Sequence, residues 1–482
     1  MSDDENRSLP LSMLLAAMAG GMGWGIRGQY GHETGAMIAG VLVGLLFVLI
    51  FFRHASSLAG ARAAALMTLG ISLGGSMTYG QTIGLTQDAE LIGNWQALGW
   101  GLLGLFIKGG IWIGLAAAFL GIGTSGKRYR SIDLSLLLLS ICFLWFLGVY
   151  LLNEPFDPAN RVLPRIYFSD AWQWEPEGNL KPRREVWGGL LLALVGLVLY
   201  ARVVKQDRLV FRLAVWGFLA GGWGFALGQC VQAGHAWNAE WFRTTTYLRE
   251  LDPFMNWWNM METTFGMIFG AVLALGVWLN RDLIRLPTPD DPAESPESEL
   301  TPLTEWLLVG IHVAAVVAWS FLDFTAFDQF ADQAITMILI PVLALTAGRW
   351  WPYLLTLPIV VVPVAGKTVR ELVYGPPDVA PLIGWSAYGA LPVAVTLLLA
   401  WFLIRRQDRQ TAGRFAAIAL LVNTWIFFVL NLAFFRYPWP WHDWTARTPH
   451  ALIFFVCAVG LTFAVVIYSA SARPGESELE GQ

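Results

Sequence analysis

The sequence predicts an all-α polytopic membrane protein, and two observations carry that prediction. The 482 residues are 56% hydrophobic and only 14% charged, whereas about a quarter of the residues in a soluble domain are charged. Apolar runs of about 20 residues, long enough to cross a hydrocarbon core, recur along the chain without the alternation of barrel strands. Helices are then the remaining way to satisfy every backbone polar group inside lipid.

Fourteen such runs can be placed in order along the chain. They begin near Leu9, Glu33, Ala61, Gln96, Ser131, Val186, Leu209, Met260, Pro302, Gln333, Trp350, Ala380, Gly413 and Pro449. We therefore predict about 14 transmembrane helices in two membrane domains, residues 1–285 with eight helices and residues 302–482 with six. Residues 286–301 are rich in proline and acid, and we expect them to form a flexible cytoplasmic linker.

A repeated pattern of glycine-rich hairpins runs through the first domain. The first helices run from a glycine pair to a Gly-Gln, at residues 20–29, 74–81 and 221–229. The second helices align without gaps on Thr34, Lys108, Thr264 and, more weakly, Trp187. We predict four repeated hairpins, the third without its Gly-Gln, as in transporter cores built from repeats. Convergent packing of small residues is the alternative.

Positive charge is concentrated on one side of the predicted topology. Eighteen of the 31 Lys and Arg residues fall on the side of the two termini, which predicts cytoplasmic termini and a cytoplasmic-membrane location. The acidic start MSDDENRS is unlike a cleaved signal. A net charge of −4 without a basic stripe argues against a nucleic-acid partner, and the three separate cysteines predict no disulfide framework or metal site. We predict no cofactor.

Charged residues inside predicted membrane helices mark the candidate site, because such charges are costly unless they are paired or wetted. Glu33, Lys108 and Glu262 lie at nearly one level in the alignment, about 16 residues and about 24 Å from the cytoplasmic boundary. We expect a vestibule in the outer part of the bilayer, where Lys108 pairs with Glu33 or Glu262. Simple snorkelling of Lys108 to the headgroups is the alternative.

Other polar residues near the hairpin tips complete the predicted site. Gln29, Gln81 and Gln229 are expected to donate and accept hydrogen bonds, while Arg27 and His32 precede a helix N-terminus that favours anions. The alternatives are helix capping or lipid contact for Arg27 and a solvated loop for His235. The predicted substrate-binding residues are Lys108, Glu33, Glu262, Gln29, Gln81, Gln229, Arg27, His32 and His235.

These features favour a secondary-transporter-like permease for a small polar solute such as a sugar or sugar acid, with the lipid bilayer as its other partner. The sequence shows no nucleophile elbow, Ser/His/Asp order or paired aspartates, so we predict no catalytic residue. One alternative is a membrane-embedded transferase at the outer leaflet, with the loop of residues 153–185 and His235 as its surface. A non-catalytic membrane scaffold is another.

Overall fold

The computed structural model describes residues 8–178, 180–289, 300–321, 339–376 and 379–470. Within these ranges the chain forms helices and connecting loops without a β-sheet. Twelve of the helices are long and apolar enough to cross a membrane. The chain is therefore an all-α, multi-pass membrane protein, as the sequence predicts.

The helices follow one another along the chain in the order of the predicted runs. They are α1 Leu9–Arg27, α2 Glu33–Phe51, α3 Ser57–Leu73, α4 Gly80–Gln87, α5 Trp95–Thr124, α6 Ser131–Leu152, α7 Trp187–Val204, α8 Arg208–Trp237, α9 Trp257–Leu279, α10 Pro302–Phe321, α11 Ile340–Ala347, α12 Trp351–Tyr374, α13 Pro381–Arg405, α14 Ala412–Phe434 and α15 Thr448–Ala470. Two short helices, Ala239–Thr244 and Thr246–Leu251, lie in the loop between α8 and α9.

Two of the predicted features fall partly outside the described residues. The run expected to begin near Gln333 starts outside the described residues, and only the eight residues of α11 represent it. Most of the predicted linker, residues 290–299, lies there as well. The count of 14 spans, the four-hairpin repeat and the division into two domains stay predictions.

Polar residues directly before several helices determine where those helices begin. The side chains of Asn94, Asp207 and Asn256 accept hydrogen bonds from the first free amides of α5, α8 and α9. Such N-caps satisfy donors that have no partner within the helix. They explain why α5 starts at Trp95 and α9 at Trp257, close to the predicted Gln96 and Met260.

Six helices form a closed ring in which each packs against two neighbours. The order around the ring is α1, α2, α3, α5, α8, α9 and back to α1. Glycine lets two of these contacts become very close: a methyl group on Gly221 would lie 2.0 Å from the Gly109 carbonyl oxygen, and one on Gly20 would lie 2.2 Å from that of Gly266. In lipid, such close backbone packing holds helices together.

Aromatic side chains fill the interior of the ring. Trp24 of α1 meets Trp112 of α5 at 5.0 Å and Phe265 of α9 at 4.5 Å between ring centroids. Phe225 of α8 stacks on Phe265 at 4.8 Å, and Tyr79 meets Phe225 at 5.2 Å. We call these five side chains the aromatic core; its Trp24–Trp112 contact joins α1 to α5, which are not neighbours around the ring.

The remaining helices pack outside the ring. The helices α6 and α7 pack against each other, and α7 also lies on α5. In the second half, α14 packs on α2 and α15 packs on α1. Because the ring helices and α14 surround it, α2 is buried along nearly its whole length, which matches a helix that is apolar on every side.

Candidate functional site

The turn between α1 and α2 defines one face of the molecule, which we call the tip side. Gly31 has a φ of +97°, a conformation that glycine adopts without steric cost. The Tyr30 amide donates to the Arg27 carbonyl oxygen at 2.8 Å, which closes the turn. The turn leaves Arg27 at the end of α1, inside the bundle and only 1% exposed.

Arg27 forms a buried ion pair with Glu262 of α9. The Arg27 Nη2 atom lies 3.2 Å from Glu262 Oε1, and Glu262 is only 3% exposed. Nη2 also donates to the Tyr79 hydroxyl. The Glu262 carboxylate accepts further hydrogen bonds from Trp258 Nε1 at 3.3 Å and Asn259 Nδ2 at 3.4 Å. The carboxylate is thereby held by three donors from two sides.

The guanidinium of Arg27 lies on the aromatic core. Its Cζ atom is 4.7 Å from the centroid of Trp24 and 5.4 Å from those of Tyr79 and Trp112, distances at which a cation interacts with a ring face. The buried Nε–H of Arg27 has no hydrogen-bond partner. The Nη2 group of Arg27 therefore has hydrogen-bond partners in Glu262 and Tyr79, whereas its Nε–H has none.

Lys108 forms a second buried ion pair, and its partner is Glu185 rather than Glu33 or Glu262. The Nζ atom lies 2.5 Å from Glu185 Oε1, and both side chains are 1% exposed. Nζ also donates to the Thr78 carbonyl and the Thr82 hydroxyl, each at 2.7 Å. All three ammonium donors are thus used. The predicted pairing is wrong because the loop before α7 folds back and brings Glu185 to Lys108.

The Glu185 carboxylate is equally well satisfied. It accepts hydrogen bonds from the Ser169 hydroxyl at 2.9 Å, the Phe168 amide at 3.0 Å and Trp187 Nε1 at 3.2 Å. A buried charge pair is stable only when such additional hydrogen bonds are present. This pair therefore fastens the loop of residues 153–186 to α5.

A break between α3 and α4 connects the two ion pairs. The consecutive residues Thr78 and Tyr79 bond Lys108 through the Thr78 carbonyl and Arg27 through the Tyr79 hydroxyl. The break begins at Gly74, where a methyl group would lie 2.1 Å from the Trp112 ring. Glycine at this position thus allows the chain to leave the helix directly beside the aromatic core.

Glu33 and His32 lie next to the Arg27 pair without entering it. Glu33 begins α2, packs against Gly75, and interacts electrostatically with Lys367 and Arg27. His32 Nδ1 is 3.5 Å from Arg27 Nη1. The His32 side chain is exposed at its surface, and the neighbouring protein atoms, together with the charge of Arg27, lower the pKa of His32 below its ordinary value. His32 is therefore neutral at physiological pH.

The three glutamines occupy three different environments. Gln81 bonds the Lys181 carbonyl at 2.7 Å and the Arg183 amide at 3.0 Å, so it holds the long loop. Gln229 is buried and donates to the Thr86 hydroxyl at 2.7 Å. Gln29 lines a cavity, and its Oε1 atom, like that of Gln229, is buried without a hydrogen-bond partner.

His235 lies in a separate cluster on the tip side. Its Nε2 atom is 2.8 Å from Asp252 Oδ1, and its ring stacks on Trp257 with a centroid separation of 4.4 Å. Trp257 Nε1 donates to the same carboxylate oxygen at 2.8 Å. These contacts join the end of α8 and the loop after it to the start of α9.

The common depth of Glu33, Lys108 and Glu262 stays a prediction, because the helix rise gives distances only along each helix. At about 1.5 Å per residue, Lys108 lies about 24 Å from the far end of α5, Glu262 about 26 Å from that of α9, and Arg27 about 27 Å from that of α1. The structure thus brings Arg27, Glu262, His32, Glu33 and Gln29 to the tip. Lys108 lies in the adjoining pair, while Gln81, Gln229 and His235 lie elsewhere.

Several polar residues of this region are not among the residues predicted from the sequence. They are Tyr79, Glu185, Asn259, Asn431, Arg447 and His450. One signal was available for Glu185: in the hairpin alignment it stands two residues before Trp187, just as Glu262 stands two residues before Thr264. For the others, only their contacts in the fold mark them.

Among the described residues, no group of three or more His, Cys, Asp or Glu side chains converges as a metal ion would require. The groups with which a ligand could interact at this site are therefore two ion pairs, uncharged amides and aromatic ring faces. Comparison of the chain with protein-family models, with curated proteins and with solved structures gave no match.

Proposed function

We propose that this multi-pass membrane protein is a permease that binds a small polar solute at the tip side. The observation that carries the proposal is the buried Arg27–Glu262 pair beside a cavity walled by Gln29 and Asn259. Ionisable groups inside a membrane protein commonly belong to solute or ion pathways. Asn259 joins the two features, because it lines the cavity and donates to Glu262.

The six-helix ring supports a path past this pair. Its interior holds the aromatic core, and Arg27 lies directly on that core. A solute that displaces Arg27 from Glu262 would remove the charge that covers the rings. In this proposal Arg27, Glu262 and Gln29 contact the solute, His32 and Glu33 border its entrance, and Lys108 with Glu185 keeps the adjoining loop in place.

The orientation in this proposal follows the distribution of basic residues. The tip side faces outward and both termini are cytoplasmic, in the cytoplasmic membrane. The three hairpins that supply the ring helices would then be the predicted repeats. Movement between such units is a common basis of alternating access.

Solute flux into liposomes tests the proposal. The purified protein is reconstituted, and hexoses, hexuronates and small carboxylates are offered as radiolabelled solutes. We expect uptake above that of protein-free liposomes for at least one class, with a decrease of tenfold or more in Glu262→Gln. Glu262→Asp, which keeps the charge, should retain part of the flux.

Arg184→Gln is the matched control, because Arg184 forms an exposed ion pair with Glu154 in the tip-side loop. Its flux should equal that of the wild type. Folded protein without uptake of any class contradicts the proposal. A covalent product from these solutes would instead favour the transferase, and constant co-purification with another protein would favour the scaffold.

A further inference from the structure

A small polar cavity, which we call the tip cavity, lies where α1, α9, α14 and α15 meet on the tip side. It has room for about one water-sized particle. Its polar lining includes Gln29, Asn431, Arg447 and His450, and the rings of Phe428 and Phe454 form apolar walls.

Buried polar atoms in this lining have no hydrogen-bond partner in the protein. They are Gln29 Oε1, Asn431 Nδ2 and both ring nitrogens of His450. His450 is 1% exposed and Asn431 is 6% exposed. The Tyr30 hydroxyl bonds the Thr368 hydroxyl at 3.2 Å, and it also interacts with the Asn431 side chain without forming a hydrogen bond of good geometry to its Nδ2 atom. Buried polar groups in proteins are nearly always satisfied, so these atoms indicate a ligand.

The electrostatic surroundings of the tip cavity are positive. Arg447 is half-buried, and its Cζ atom lies 4.1 Å from the centroid of Phe435. Among the described residues, no carboxylate lies within ion-pair distance of Arg447, although Glu262 interacts with it electrostatically. Arg27 already neutralises Glu262. Two guanidiniums therefore share one carboxylate, which leaves one positive charge in excess.

The start of α15 adds to this field. His450 lies in the first turn of this 23-residue helix, and Arg447 directly precedes it. The N-terminus of a helix carries about half a positive charge and unpaired amides, which favour anions. Here the helix end coincides with the excess guanidinium and with the unpartnered Asn431 and His450.

The lining holds several hydrogen-bond donors. Arg447, the Asn431 amide and one nitrogen of His450 can donate. The Gln29 amide can also present its NH₂ group, because rotation by half a turn exchanges its oxygen and nitrogen. From this positive and narrow space, with donors in its lining, we infer that the tip cavity binds a small monovalent anion of the size of chloride. As a statement about the transported solute, this rests on the permease function proposed above.

Anion-dependent thermal unfolding of the full-length protein in detergent tests the inference. Sodium chloride and sodium bromide are compared with sodium sulfate at constant ionic strength. We expect the small anions to raise the unfolding temperature saturably. Sulfate, which has more atoms than the cavity admits, should not do so. No saturable effect of any small anion would overturn the inference.

Three variants locate the site. His450→Phe removes both ring nitrogens, and Asn431→Asp replaces a donor by a negative charge at nearly constant volume. Each should weaken the apparent affinity for chloride at least about tenfold. His442→Phe is the matched control, because His442 is exposed on the neighbouring loop, and its affinity should be unchanged. Unchanged affinity in Asn431→Asp, or equal loss in His442→Phe, would overturn the assignment.

Flux measurements separate this inference from the proposed function. Saturable chloride binding without flux of chloride or of any other offered solute in liposomes would leave the anion site standing and contradict the permease. Flux of a neutral solute without any anion binding would support a permease and overturn the anion site. Anomalous scattering from bromide beside His450 would show the site directly.

Discussion

The Lys108–Glu185 pair allows a quantitative test of the fold around the site. Lys108→Met leaves the Glu185 carboxylate buried with three hydrogen-bond donors but no cation. Breaking one side of a buried ion pair costs about 3–5 kcal/mol. Glu185→Gln should cost a similar amount, because the ammonium then loses its 2.5 Å partner. The double variant removes both charges, so we expect it to cost about 2–3 kcal/mol less than the sum of the two.

Unfolding by sodium dodecyl sulfate in mixed micelles measures these free energies. Proteolysis of the loop of residues 153–186 serves as a local readout, since the pair fastens that loop. The exposed Arg184–Glu154 pair provides the matched control, for which a cycle should give less than about 1 kcal/mol. Additive effects of Lys108→Met and Glu185→Gln, or an equal coupling in the exposed pair, would refute this reasoning.

Two other predictions concern packing and pH. Gly221→Ala should destabilise the protein strongly, because its methyl group would lie 2.0 Å from the Gly109 carbonyl oxygen. Gly234→Ala, whose methyl group would have no neighbour within 4 Å, should be neutral or slightly stabilising. Equal unfolding free energies of the two variants would contradict the ring contact. Burial, with a further contribution from Asp88, raises the pKa of Asp170 to about 6, above its ordinary value near 4. The folded state therefore holds this proton more tightly, and stability falls as pH rises from about 4 through 6. Asp170→Asn should raise the unfolding temperature at pH 8 and change it little at pH 4. If the substitution changes the unfolding temperature by the same amount at both pH values, Asp170 does not titrate in this range.

Hydropathy made the fold class predictable from the sequence. An apolar run of about 20 residues has few alternatives to a spanning helix, and capping residues such as Asn94 and Asp207 explain the close agreement at several helix starts.

The charge pairing was not predictable in the same way. Which side chains meet depends on the order of helices around the ring and on the path of the long loop. Glu185 was assigned to that loop, although the alignment places it at the position of Glu262. The tip cavity could not be predicted from the sequence, because Asn431 and His450 come from two helices outside the proposed repeats and meet Gln29 only in the folded chain.

Current across liposome membranes most directly tests the central claim that the tip side binds and transports a small anion. The reconstituted protein is exposed to a chloride gradient. We predict a current that falls at least tenfold in Glu262→Gln and in Asn431→Asp, and that is unchanged in Arg184→Gln. Current no larger than that of protein-free liposomes, or equal currents in the wild type and both site variants, would contradict the account.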